Sequence, residues 1–193
     1  MVGRKSLAGT VAHNVLTHGT GALNIDGCRV AHQDEADLAV SLAKNPGRSD
    51  SVTSEVYGAD RPQQSVNTAG RWPTNVVLEE SQADRLDDQL GGASRFFPTF
   101  HYEAKAPASE RPAVNGVQHP TVKPLDLMRW LVRLVTPPNG VVLEPFAGSG
   151  TTAEACVLEH MRCIAIEREA DYLPLITSRL TKPMQVGFDF GSA

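Results

Sequence analysis

Residues 144–152 read Glu-Pro-Phe-Ala-Gly-Ser-Gly-Thr-Thr, between the continuous apolar run Val141-Val142-Leu143 and a helix predicted over about Thr151 to Glu159. Glycines at 148 and 150 let a chain leaving a strand turn tightly and approach a ligand closely. The first N–H groups of the helix that follows then face whatever anionic group sits there. A second strand from about Cys163 to Ile166 and a closing helix from Asp171 to Leu180 complete a β-α-β-α unit. Ahead of it, a helix over Leu125 to Val135 begins after Pro124 and is stopped by Pro137-Pro138-Asn139-Gly140. The alternation predicts an α/β fold, part of a doubly wound parallel sheet.

The residues of the loop narrow what it can hold. A phosphate-binding Walker loop needs a lysine after its second glycine, and none follows Gly150, so that class is excluded. A dinucleotide loop wants a small residue three places after Gly150, which Ala153 supplies, so the loop alone leaves a nicotinamide cofactor open. Glu144 argues against a pyrophosphate, which its carboxylate repels, and suits a cationic amino group. Glu167 ends the next strand, 23 residues after Glu144, where an acidic side chain accepts hydrogen bonds from ribose hydroxyls. Loop and carboxylate together describe an adenosine-containing cofactor.

The rest of the chain is less regular. From Gln33 to Gly70 glycine, proline and polar residues recur without sustained periodicity, which predicts a long exposed loop at about 33–70. Asn75–Leu78 and Arg95–Tyr102 are short strand candidates, the second demoted to an edge or bulge by Pro98, with a helix over Ser81–Leu90 between them. In the Leu125–Val135 helix, Asp126, Arg129 and Arg133 form one narrow polar stripe, which predicts a largely buried helix. Arg71, Trp72, Arg95, Phe96, Phe97 and Arg111 suit a DNA-facing surface, with a core role as the alternative for Phe96 and Phe97. A net charge of -4 excludes holding nucleic acid by bulk electrostatics. Three cysteines without metal-ligand spacing argue for a reducing cytoplasm, and no stretch reads as a signal peptide or membrane span.

His119-Pro120-Thr121-Val122-Lys123-Pro124, then a helix, then EPFAGSGTT and Ile164-Ala165-Ile166-Glu167, resemble the HPTxKP and DPFxGSGTT elements of DNA amino-methyltransferases acting on adenine N6 or cytosine N4. The order is that of the group whose catalytic half precedes its cofactor half. Upstream segments, among them His18-Gly19-Thr20-Gly21-Ala22-Leu23-Asn24, Gly70-Arg71-Trp72-Pro73-Thr74-Asn75 and Gly91-Gly92-Ala93-Ser94-Arg95-Phe96-Phe97, resemble the middle region of phage and prophage members. The resemblance implies a partial Rossmann-like methyltransferase fold with S-adenosylmethionine as cofactor. It implies residues 1–118 as a middle, target-recognition-like region, 119–182 as the cofactor-binding unit and 183–193 as a tail. Thr121 and Lys123 are then expected at the methionine carboxylate, Glu144, Pro145, Phe146, Gly148, Ser149, Gly150, Thr151 and Thr152 around the methionine, and Glu167 at the ribose. For Lys123 the alternative is a solvated lysine ahead of a helix proline.

Two departures qualify the resemblance. Glu144 stands where the family places aspartate. The catalytic [DNS]PP[YFW] tetrad is absent, since the sole Pro-Pro is Pro137-Pro138 between Thr136 and Asn139. The chain is therefore expected to begin inside the family's domain, to have no catalytic residues of its own, and to be inactive without a complementing half. Its expected partners are double-stranded DNA and a second polypeptide carrying the tetrad, and its alternative role is a non-catalytic cofactor-binding or interaction fragment.

Overall fold

The computed structural model describes residues 3, 5–43, 66–100, 106 and 108–182. Numbered along the chain, the helices are α1 (Val11–His18), α2 (Glu35–Ala43), α3 (Glu80–Leu90), α4 (Leu125–Val135), α5 (Thr151–Leu158) and α6 (Leu173–Leu180). The strands are β1 (Leu78–Glu79), β2 (Thr99–Phe100), β3 (Ala113–Val114), β4 (Val117–Gln118), β5 (Val141–Glu144) and β6 (Arg162–Ala165). The chain divides into two units, Met1–Asn24 with Tyr102–Ala193, and Ile25–His101. The tail at 183–193 lies outside the described residues.

In the first unit β5 and β6 pair in parallel, Val141 opposite Arg162 through Glu144 opposite Ala165, joined by α5. One sheet face packs on α4 and α5, around Val132, Ala155 and Cys156, with Val142, Cys163, Leu125, Met128 and Met161 closing the cluster. Ala155 and Cys156 are fully buried, and small side chains there let α4 and α5 approach closely. The expected burial of strand and helix is only half realised. On the other sheet face Leu143 is 62% and its cross-strand neighbour Ile164 56% exposed, and Val141 and Ile166 are exposed with them. In α4 Val132 and Leu134 are buried while the rest is half-buried or exposed. Its polar stripe stays half exposed: Arg129 and Arg133 pair with the nearly buried Glu159, at 2.9 and 2.7 Å.

The other elements of this unit set up the ends of that sheet. β3 and β4 form a hairpin turning through Asn115 and Gly116, both at positive φ, as a tight two-residue turn demands. The hairpin delivers the chain to His119. Gly140 closes the turn from α4 into β5 by donating its N–H to Pro137 O. α6 enters from a 3-10 turn at Ala170–Tyr172 and buries Leu175 and Arg179.

The second unit corrects the expectation of a featureless loop over 33–70. Its described beginning is α2, and Asp37 on that helix is almost buried. Two arginines converge on Asp37: Arg71 at 2.5 Å and Arg95 at 3.2 Å, while the Gln33 N–H donates to its second oxygen at 3.1 Å. Periodicity missed the helix because a polar side chain holds it in place, where pattern reading looks for an apolar stripe. Residues 44–65 of the predicted loop lie outside the described residues. β1 and β2 pair in parallel with α3 between them, and Gly91 ends α3 in the left-handed conformation.

Candidate functional site

At the C-terminal end of β5 and β6 the glycine loop is held by the protein on every side that the described residues show. Glu144 ends β5, and its carboxylate accepts the Phe146 N–H at 3.0 Å and the Thr152 hydroxyl at 2.8 Å, bridging the two ends of its own loop. Glu167, just past β6, accepts the Gly148 N–H at 2.7 Å and the Glu169 N–H at 2.9 Å. The Ala147 N–H donates to Ile166 O at 2.9 Å, so the two strand-to-helix turns are joined by backbone as well. The N–H groups of Glu169, Gly148 and Arg168, with a contribution from His119, hold the Glu167 carboxyl below the usual carboxylate range.

The two glycines also let the loop backbone lie close to protein side chains. Gly148 has φ +54°, and a Cβ there would lie 3.0 Å from the His119 imidazole; Gly150 has φ +83°, and a Cβ there would meet Ile176 at 3.1 Å. Both positions are buried, as are Ala147 and Ser149. The backbone therefore presses against protein on those sides. Beneath the loop, Arg179 of α6 is 2% exposed and donates through Nε to Ser149 O at 2.9 Å. Its remaining nitrogens reach the Glu154 carboxylate and the Glu110 carbonyl. One buried cation thus ties the loop, α5, α6 and the segment before the hairpin together.

The other expected residues fall around this loop. Phe146 is 86% exposed, a ring standing clear of the loop beside exposed Pro145. Thr151 is buried and its hydroxyl lies 3.4 Å from that of Ser149. Thr121 and Lys123 are exposed, and the Thr121 backbone engages His119 Nδ1. Four residues that the sequence patterns did not single out hold the scaffold: Arg179, Glu154, Ile176 and Glu110, whose carboxylate accepts the Leu125 N–H at 3.0 Å at the start of α4. A signal for Arg179 existed, since it lies four residues after Leu175 on the buried stripe of α6. For Glu110, at the end of a short 3-10 turn (Ala108–Glu110) 15 residues ahead of the Leu125 N–H it accepts, no pattern points to it.

Of the three arginines expected on a DNA-facing surface, Arg111 lies in the first unit with its Nε buried, while Arg71 and Arg95 lie in the second and make internal contacts. Arg71 and Arg95 share Asp37, and both guanidinium groups stack on Phe96, at 4.9 and 4.5 Å from its ring centre. Paired and stacked, they act as the internal junction between α2 and the turn after α3. Trp72 beside them remains exposed.

The family model of N6/N4 methyltransferases, described as DNA methylase, matches residues 21–178. The chain belongs to that family. The matched stretch takes in the glycine loop with β5, α5 and β6. Over 62 residues the chain is 42% identical to the type II methyltransferase M2.MboI of Moraxella bovis, covering 32% of this chain and 23% of that protein. Over 77 residues it is 33% identical to the type II methyltransferase M.ScaI of Streptomyces caespitosus, covering 40% and 25%. A solved complex of M1.HpyAVI with SAM is 45% identical over 32% of each chain, with a TM-score of 0.31. The chain thus matches about a quarter of the length of these curated relatives.

Proposed function

We propose that this chain is the cofactor-binding portion of a DNA methyltransferase that moves the methyl group of S-adenosylmethionine to the exocyclic amine of adenine or cytosine, completed by a polypeptide that carries the catalytic tetrad. The observation that carries this reading is the juxtaposition of the glycine loop and Glu167, joined by the Gly148 N–H at 2.7 Å. The groups present fit the cofactor. A carboxylate offers about four acceptor directions, and the N–H groups of Glu169, Gly148 and Arg168 take up to three at Glu167, which leaves room for a ribose hydroxyl. The exposed Phe146 ring and the first N–H groups of α5 border the loop. Glu167 at the ribose, Phe146 to Thr152 around the methionine and Thr121 with Lys123 at its carboxylate make the proposed set. When bound, the cofactor supplies an electrophilic methyl group on a sulfonium.

A weakly nucleophilic amine needs acceptors for its hydrogens and a flipped base held in line with the methyl group, and those are the tetrad's tasks. Support for a completing polypeptide comes from the open face of β5 and β6. Parallel sheets are ordinarily covered on both faces, and two strands alone are marginal. Leu143 and Ile164, with Val141 and Ile166, offer an apolar face, and the outer edges of β5 and β6, unpaired among the described residues, are open to further strands. The same face suits the alternative role of an interaction fragment.

A tritium-transfer assay on mixed-sequence duplex DNA separates the two. The chain alone and the tetrad-bearing polypeptide alone are expected to incorporate nothing, and the mixture to incorporate methyl groups. Incorporation by the isolated chain refutes the split. No incorporation by a mixture that co-elutes as a complex favours the interaction fragment.

A further inference from the structure

The His119 ring touches three segments that meet at the loop. Around the position of a Cβ on Gly148, His119 places Nε2 at 3.0, Cε1 at 3.1 and Cδ2 at 3.3 Å, so the imidazole covers the α-carbon on that side. Its edge meets the Tyr172 ring, with centres 4.7 Å apart at 65°. Nδ1 lies 2.8 Å from the Thr121 carbonyl and 3.2 Å from the Thr121 nitrogen. Nδ1 accepts the Thr121 N–H when bare and donates to the Thr121 carbonyl when it carries the hydrogen, so one of the two contacts holds the ring in either tautomer. Covered on this side by the imidazole, Gly148 gives its N–H to Glu167.

We propose that His119 is a positioning residue for the cofactor loop: held at Nδ1 by Thr121 and at its edge by Tyr172, its ring keeps the Gly148 N–H on Glu167 and so presents that carboxylate to the cofactor. The proposal rests on the reading of this loop as the cofactor loop. Removing the ring leaves the Gly148 α-carbon uncovered on that side, and the hydrogen-exchange protection of the Gly148 N–H on Glu167 reports the change.

The test is amide NMR on the full chain, as wild type, His119→Phe and His119→Ala. His119→Phe keeps a flat ring on Gly148 and removes both nitrogens, so hydrogen-exchange protection of Gly148 should stay within about twofold of wild type. His119→Ala should lower that protection at least about tenfold, with the core amides of Val132 and Cys156 unchanged. With the tetrad-bearing polypeptide present, it should also weaken S-adenosylmethionine binding about tenfold, the scale of one lost hydrogen bond to a charged group. Wild-type protection of Gly148 in His119→Ala, or protection lost as fully in His119→Phe, overturns the proposal. Absence of cofactor binding by the wild-type mixture refutes the cofactor reading instead, and the amide measurements still decide the role of His119.

Discussion

Replacing Gly150 by alanine separates two costs that a positive-φ glycine can carry. At φ +83° an alanine occupies the left-handed region, which for an L-residue costs about 1–2 kcal/mol. At this position the new methyl also lies 3.1 Å from Ile176 Cγ2 and 3.2 Å from the Ile176 α-carbon. The Cγ2 methyl can rotate away. The α-carbon cannot, because α6 is held by the fully buried Leu175 and by Arg179 on Ser149 O. Overpacking of this kind costs a further ~1–3 kcal/mol. Gly116→Ala is the matched control in the same unit: φ is +78°, and nothing lies within 4 Å of the added methyl. Gly116→Ala should therefore lose about 1–2 kcal/mol and Gly150→Ala about 2–5 kcal/mol. Urea unfolding followed by Trp130 fluorescence, with Trp72 changed to phenylalanine so that one indole reports this unit, measures both. Equal losses at the two sites would show that α6 yields freely and that the loop is not clamped against it.

Three further outcomes follow from the same geometry. Glu167→Ala should weaken S-adenosylmethionine binding by about ten- to a hundredfold in calorimetry with the completing polypeptide present, since it removes charge-assisted hydrogen bonds of ~1.5–3 kcal/mol; unchanged affinity in a folded variant sinks the ribose assignment. The Arg71 hydrogen bond, then the Gln33 N–H and the charges of Arg71 and Arg95, hold the Asp37 carboxyl below its ordinary value. Its stabilisation is present above about pH 4 and lost as pH falls through the lowered folded value, so the protection factors of the α2 amides, rates corrected for intrinsic exchange, should fall on acidification in the wild type and show no such step in Asp37→Asn. Burial pushes the Cys156 thiol up to about 12, with Cys163 and Glu144 adding to it, so at pH 8 native protein should be alkylated at Cys156 far more slowly than urea-unfolded protein, as peptide mass spectrometry will read.

The parts of the fold legible in the sequence are those written in backbone grammar and short-range pattern. The β5–α5–β6 order and both strand-to-helix turns follow from apolar runs, glycines and prolines, and α3 follows from its double-glycine stop. What escaped depends on side chains meeting across long separations. α2 hangs on Asp37 meeting Arg71 and Arg95, 34 and 58 residues away, and nothing in its own nine residues announces that junction. Likewise Glu144 and Glu167 were readable as acidic strand ends, whereas their engagement with the loop's own N–H groups emerges only once the chain is folded. The open face at Leu143 and Ile164 was invisible for a further reason: a continuous apolar run says that a strand is built to be covered, and not by which polypeptide.

The bolting of the glycine loop has a consequence for how such motifs persist. Gly148 is required by His119, Gly150 by Ile176, and the loop carbonyl at Ser149 by Arg179, all within the chain itself. Selection on folding alone would therefore keep the two glycines, even in a lineage whose copies had stopped methylating anything, because their replacement lowers stability before any ligand is involved. The signature that identifies this loop is in that sense a fossil-grade marker of architecture. Loss of activity would be recorded first at positions with no internal partner, and the 86% exposed Phe146 is the place in this loop to look for it.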